Sequence, residues 1–281
     1  MKPPANQAES PTVAFIGGGN MARSLIGGMI ARGADPARVR VAEPVQALRE
    51  SLQADFGVRG FATAAEAVDG ATVWLLAVKP QVMRAVCAEI ATTARIAQPV
   101  AISIAAGITS GQLSDWLGGG IAVVRAMPNT PALLGAGITG LFANPQVDAI
   151  QRDQAARLLD AVGPTVWIED EGQMDAVTAV SGSGPAYVFL LAEAMQAAGV
   201  KQGLPADTAR QLANQTLLGA ARMLTELDEP ADVLRKKVTS PGGTTQAAIE
   251  TFEQGGLREL VDRAVTAATL RGRELSAAND D

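Results

Sequence analysis

From Thr12 to about Ile168, short β-branched runs alternate with stretches whose apolar positions recur at helical spacing. The runs are residues 13–16, 39–42, 73–78, 100–104 and 121–124, with 138–141 and 165–168 as further strands, one or two of them outlying at the edge. This βαβ rhythm predicts a doubly wound, Rossmann-type α/β sheet of parallel strands. After Asp170 the strand pattern stops. Helical patterns then follow at about 172–181, 184–198, 205–227, 230–238, 244–254 and 257–276, separated by Gly and Pro. The helix starting near Pro205 sets Leu212, Leu217, Leu218, Ala221 and Leu224 near helical spacing, with Gln211, Gln215 and Arg222 as polar positions. The expected domains are therefore a sheet domain over 12–168 and an all-α domain over 169–276. The segment Ser181 to Pro185 is expected to break two helices tightly.

Composition sharpens this picture. With 281 residues, the chain exceeds the usual size of one domain. It is 48% hydrophobic but only 4% aromatic, so its cores must be built from Ala, Val, Ile and Leu, and its few Trp residues are expected inside. A net charge of −6 without a basic run argues against nucleic acid as a partner. No apolar run approaches the roughly 20 residues of a membrane span, and residues 1–11 read as a polar, Pro-rich tail without a signal peptide's apolar middle. The lone Cys87 cannot form an intramolecular disulfide and reads as a buried, inert thiol, which suits a reducing cytoplasm. Histidine is absent, which removes every imidazole acid, nucleophile activator and metal ligand; no metal site is expected.

The chemistry begins where the first strand runs into Gly17-Gly18-Gly19-Asn20-Met21-Ala22, a G-x-G-x-x-A at a strand-to-helix turn. Gly17 permits the tight turn, Gly19 lets the backbone approach a pyrophosphate, and Ala22 allows close helix–strand packing. The helix start supplies N–H groups for the anionic phosphates. Glu43 follows the second strand, where a carboxylate can accept hydrogen bonds from an adenosine ribose. Ala77-Val78-Lys79-Pro80 forms a second edge at the carboxyl end of the sheet. Downstream, Pro241-Gly242-Gly243 leads into a helix, so Gly242, Gly243, Thr244 and Thr245 can offer unpaired N–H groups to a carboxylate.

Five motifs occur in order: Gly17 to Met21, Ala77 to Pro80, Val124-Arg125-Ala126-Met127-Pro128-Asn129-Thr130-Pro131, Ser181-Gly182-Ser183-Gly184-Pro185-Ala186-Tyr187, and Val238-Thr239-Ser240-Pro241-Gly242-Gly243-Thr244-Thr245. With this order and spacing the chain resembles the pyrroline-5-carboxylate reductase family over roughly Val13 to Leu275. The resemblance implies reduction of 1-pyrroline-5-carboxylate to proline with NADPH or NADH, and a helical domain that makes a homodimer or a higher oligomer built from dimers. It implies that the loop from Ser240 to Thr245 holds the substrate carboxylate and that Thr245 bonds to the ring nitrogen. Asn129 would place an amide near the nicotinamide and substrate. Arg125 could attract the anionic substrate or pair with a structural carboxylate. The family commonly uses NADPH, whereas Glu43 would repel a 2′-phosphate; Arg40 or Arg49 could offset that, and the phosphate preference stays open.

Two other readings compete. A β-hydroxyacid dehydrogenase also sets helices after a Rossmann domain, but it carries a catalytic Lys one turn beyond its Gly-Ser-Gly segment. Here that stretch, Pro185 to Leu190, has no Lys. A nonenzymatic dinucleotide sensor would need the glycine loop and not the Pro-Gly-Gly-Thr-Thr loop.

Overall fold

The computed structural model describes residues 11–278. Residues 1–10, most of the segment read as a tail, lie outside the described residues. Contacts divide the chain into two compact units: Ser183–Ala267, and the remainder through Gly182 together with the stretch from Ala268.

The first unit is built on an eight-stranded sheet: β1 (Val13–Ile16), β2 (Val39–Ala42), β3 (Arg59–Phe61), β4 (Val73–Leu76), β5 (Val100–Ser103), β6 (Ala122–Met127), β7 (Thr139–Ala143) and β8 (Thr165–Trp167). Its spatial order is β3-β2-β1-β4-β5-β6-β7-β8. Strands β1 and β4 are adjacent although two strands intervene in sequence, so the order reverses at β1 and opens a crevice beside its carboxyl end. Helices α1 (Asn20–Ala31), α2 (Gln46–Phe56), α3 (Ala64–Val68), α4 (Pro80–Ala97), α5 (Ser110–Trp116) and α6 (Ala149–Leu159) cover the sheet.

The strands are apolar at consecutive positions because both sheet faces are covered. In β1, Val13 and Phe15 join one core with Leu25 and Ile26 of α1, Leu52 of α2 and Leu158 of α6. Ala14 and Ile16 join the other core with Val68 of α3, Met83 and Ile90 of α4 and Leu113 of α5. Thr63, Thr109 and Asp148 start α3, α5 and α6 with reciprocal capping boxes to Glu66, Gln112 and Gln151, satisfying N–H groups that the helices cannot pair themselves.

Several expectations need correction. The three-residue β3, with Gly60 at its centre, was absent from the hydrophobic pattern because it is too short to show alternation. Strand β7 runs antiparallel to β6, and β8 then pairs parallel with β7. Of the tryptophans only Trp74 is fully buried; Trp116 and Trp167 are half-buried and pack at the margins of the two cores. Cys87 is buried in α4, and burial pushes its thiol up to about 12.

Beyond Asp170 come α7 (Met174–Val177), a π-helical turn at Thr178–Gly182, α8 (Gly184–Lys201), α9 (Ala206–Glu226), α10 (Ala231–Lys237), α11 (Thr244–Gln254) and α12 (Leu257–Ala277). Within the Ser181–Pro185 segment the π turn ends at Gly182 and α8 begins at Gly184, with Ser183 (φ −84°, ψ −22°) between them outside either helix. Within Ser183–Ala267, Gly199 of α8 lets α9 approach: a Cβ there would lie 3.2 Å from that of Ala209. The only fully buried apolar side chains of that unit are Ala209, Ala213 and Leu234. No described helix is long and apolar enough to cross a membrane.

Candidate active site

The β1–α1 turn is held by its neighbours on both sides. Gly17 N donates to Ala42 O at 2.9 Å and Ala77 N donates to Ile16 O at 2.8 Å, so the ends of β2, β1 and β4 are locked in register. Gly17 has φ +103°, and a Cβ there would stand 2.7 Å from Ala77 O; only glycine fits. Gly18 is less confined: a Cβ would meet Leu52 Cδ1, the end of a flexible side chain, at 2.7 Å. Gly19 differs. A Cβ there would meet nothing within 4 Å, so the residue faces open space at the start of α1. No side chain caps α1, and its first turn carries no acid. Uncapped N–H groups, the positive end of a 12-residue helix and an open approach fit the diphosphate of a dinucleotide. Asn20 is exposed at the mouth, Met21 packs against the core, and the buried Ala22 brings α1 close to the sheet.

Glu43 stands at the carboxyl end of β2, only 7% exposed. Its Oε2 accepts from Gly18 N and its Oε1 from Val45 N, each at 3.0 Å, so the carboxylate ties the glycine loop to the β2–α2 turn. Ala77 and Val78 are half-buried after β4, while Lys79 is exposed and precedes Pro80, the first residue of α4. Pro80 suits that position because the first helical N–H needs no partner within the helix.

Asn129 follows β6 and heads the short turn Thr130–Leu134. Its Oδ1 accepts from Ile138 N at 3.0 Å and its Nδ2 donates to Ser181 O at 3.1 Å. The second bond has a clear cause: in a regular helix Ser181 O would accept from the N–H of residue 185, but Pro185 has none. The amide thus pins the π turn to the sheet. Sequence reasoning missed this role, because the pairing spans 52 residues. Arg125 pairs with Glu171, Nη1 to Oε1 at 2.8 Å, and Glu171 also accepts from Ser110 N at 2.6 Å and Ser110 Oγ at 2.7 Å. Of the two roles open to Arg125, the structural pairing is the one observed.

In the other unit, α11 starts from Gly243, again without a side-chain cap. The loop before it is tighter than the sequence suggested. Gly243 N donates to the carbonyl of the exposed Ser240 at 3.0 Å, and Gly242 N donates to Gln246 Oε1 at 2.7 Å. The expectation that both glycines offer unpaired N–H groups is therefore corrected; Gln246 had given no signal of this reach-back. Thr244 and Thr245 occupy the first turn of α11, whose N–H groups have no partner within the helix. Gly242, with φ +70°, is the residue that needs glycine's conformational freedom; Gly243 is extended.

A doubly wound sheet with an uncapped, glycine-lined helix start at its reversal point defines the class: a Rossmann-type, NAD(P)-binding oxidoreductase fold. The family model for pyrroline-5-carboxylate reductase dimerisation matches residues 171–275, and the model for NADP oxidoreductase coenzyme F420-dependent matches residues 12–107. A pyrroline-5-carboxylate reductase of Pseudomonas aeruginosa is 52% identical over 95% of this chain and 97% of its own. Among solved structures, that of a pyrroline-5-carboxylate reductase from Coxiella burnetii superimposes with a TM-score of 0.93 at 44% identity, covering 95% of this chain and 99% of that one. The Plasmodium falciparum pyrroline carboxylate reductase, solved with NADP bound, gives a TM-score of 0.82 at 28% identity over 95% and 99% of the two chains. The chain belongs to the pyrroline-5-carboxylate reductase family, the oxidoreductases that catalyse the last step of proline biosynthesis.

Proposed function

We propose that this chain reduces the cyclic C=N bond of 1-pyrroline-5-carboxylate to give L-proline, using a reduced nicotinamide dinucleotide, NADH or NADPH. The observation that carries the cofactor assignment is the open, uncapped start of α1 over Gly19, a built cradle for a diphosphate. When bound, the nicotinamide supplies the hydride that the imine carbon takes up. Gly17, Gly18, Gly19, Asn20 and Met21 line the diphosphate, Glu43 meets the ribose, and Ala77 to Pro80 flank the cofactor on the β4 side. Residues 12–168 act as the dinucleotide domain, and 169–276 as the substrate and dimerisation domain.

The remaining chemistry is modest, as suits a chain without histidine. A cyclic imine nitrogen can arrive protonated, so the protein has to orient the ring and hold its carboxylate. Thr244 and Thr245 offer first-turn N–H groups to that carboxylate, with Ser240, Gly242 and Gly243 shaping the loop, and the Thr245 hydroxyl bonds to the ring nitrogen. Asn129 acts on the substrate side through the π turn it holds. The functional form is a homodimer or an assembly of dimers, and its location is a reducing cytoplasm.

The test is steady-state oxidation of NADH and NADPH with pyrroline-5-carboxylate, set against hydroxyacids in the reverse direction. Turnover of the cyclic imine alone is expected. Thr245→Ala should lower kcat by about 10²-fold or less, at or below the low end for acid–base and orienting contacts, while dinucleotide affinity is retained. A folded, dimeric Thr245→Ala with parental activity from about pH 6 to 9 would remove Thr245 from the chemistry.

A further inference from the structure

The groups gathered at the carboxyl end of β2 carry a sharper statement about the cofactor. Glu43 is a buried carboxylate held on both oxygens, by Gly18 N and Val45 N. It lies close against the glycine loop: a Cβ on Gly18 would be 3.2 Å from its Cβ and 3.1 Å from its Oε2. An ionised carboxylate offers about four acceptor sites, and the backbone uses one on each oxygen. What remains can accept from ribose hydroxyls. A 2′-phosphate, with a charge of about −2 and no donor when fully ionised, would face a fixed negative charge at close range.

Arg40 and Arg49, the two cations that could offset this charge, each donate to backbone carbonyls. Arg40 donates from Nε to Ala67 O and from Nη2 to Glu66 O, each at 2.7 Å, and its guanidinium lies 4.3 Å from the Phe61 ring centroid. Arg49 Nη1 donates to the carbonyl of Glu43 itself at 2.6 Å, fastening the backbone of the β2–α2 turn. Its stem passes over Gly60, where a Cβ would fall 2.5 Å from Arg49 Cγ. Burial and then the neighbouring Arg59 hold the Arg40 guanidinium below its usual value.

We propose that this chain takes NADH in preference to NADPH, with Glu43 as the residue that sets the preference. The proposal rests on the nicotinamide-dependent reduction put forward above. Calorimetric titration of the intact protein with NAD⁺ and NADP⁺ reads the preference without turnover, and kcat/KM for NADH and NADPH reads it in the reaction. Both should favour the unphosphorylated dinucleotide at least tenfold. Glu43→Gln keeps the shape and one acceptor for the backbone but removes the charge, so it should narrow the ratio of the two Kd values severalfold, chiefly by tighter NADP⁺ binding. Equal affinity or a preference for NADP⁺ in the unchanged protein overturns the proposal, whether or not the variant folds. A folded Glu43→Gln with an unchanged ratio overturns the role of Glu43. If neither dinucleotide binds or is oxidised, the reductase reading fails instead, a different result from NADPH-preferring turnover.

Discussion

Phe15, Trp74, Leu75 and Ile102 of the sheet unit are fully buried, whereas in Ser183–Ala267 Phe189 is 61% exposed, Leu190 67%, Leu218 54% and Leu260 54%. The residue types are alike. The sheet has helices on both faces, so each strand residue meets a helix from the same chain. Helices α8, α11 and α12 bury no side chain fully, and the small residues Ala209 and Ala213 take up the inner face of α9. Fully burying one large apolar side chain stabilises by about 1.5–3 kcal/mol, so these exposed side chains form apolar surface of the kind that a second subunit can cover. The family model that matches residues 171–275 is a dimerisation model, and the exposed helices lie within that span.

The strongest way to break this contrast is to charge the exposed face. The double change Phe189→Glu and Leu190→Glu should leave the sheet unit folded yet abolish the dimer, with activity falling more than about 10²-fold if the assembly is obligatory. Sedimentation velocity at micromolar concentration reads the assembly. A parental dimer, or a fully active monomer, would mean that the exposed helices do not form the subunit interface.

A smaller effect tests where the sealed unit ends. Glu171 opens the span matched by the dimerisation model, yet it is anchored to Arg125 and Ser110 of the sheet unit. Glu171→Gln would leave the buried Arg125 without its counter-charge. Loss of one partner of a buried pair costs about 3–5 kcal/mol, and since the Glu171 side chain keeps 27% exposure the lower end is expected. Denaturant unfolding of the sheet unit checks this. A loss below about 1 kcal/mol would show the pair to behave like a surface contact.

The smallest effect is a pH dependence. Burial raises the Cys87 thiol from 9.0 to about 12 in the folded chain. The neutral thiol is therefore kept by the folded state while the unfolded chain ionises, and stability is full below pH 9 and declines as pH rises from there toward 12. Compared with Cys87→Ala, whose other groups titrate alike, the parent should lose about 1.4 kcal/mol of its relative stability between about pH 7 and 10. A constant difference between the two unfolding free energies across that range would mean that water reaches the thiol.

The glycine turn was legible because its chemistry is local: Gly17, Gly19 and Ala22 each answer a backbone demand within one strand-to-helix turn. The helices from Pro205 onward were legible by periodicity, since apolar positions repeat whatever eventually covers them. What escaped was non-local or had no side-chain signature. The π turn at Thr178–Gly182 depends on Pro185 withholding an N–H and on Asn129 supplying one from far along the chain. The direction of β7 escaped because an edge strand's apolar pattern is the same whether it pairs parallel or antiparallel.

By itself the sequence determined the sheet-then-helix order, the phosphate-binding turn, the absence of imidazole chemistry and the family, because each is carried by residue type and spacing along the chain. Only the tertiary structure decided which polar groups were already paired. Glu43 is clamped between two N–H groups, Arg40 and Arg49 are bound to carbonyls, Gly242 is capped by Gln246, and Arg125 is neutralised by Glu171. The physical reason is that a charge or donor acts according to the partners that folding brings within about 3 Å, and most of those partners are backbone atoms, alike at every position until the chain is folded.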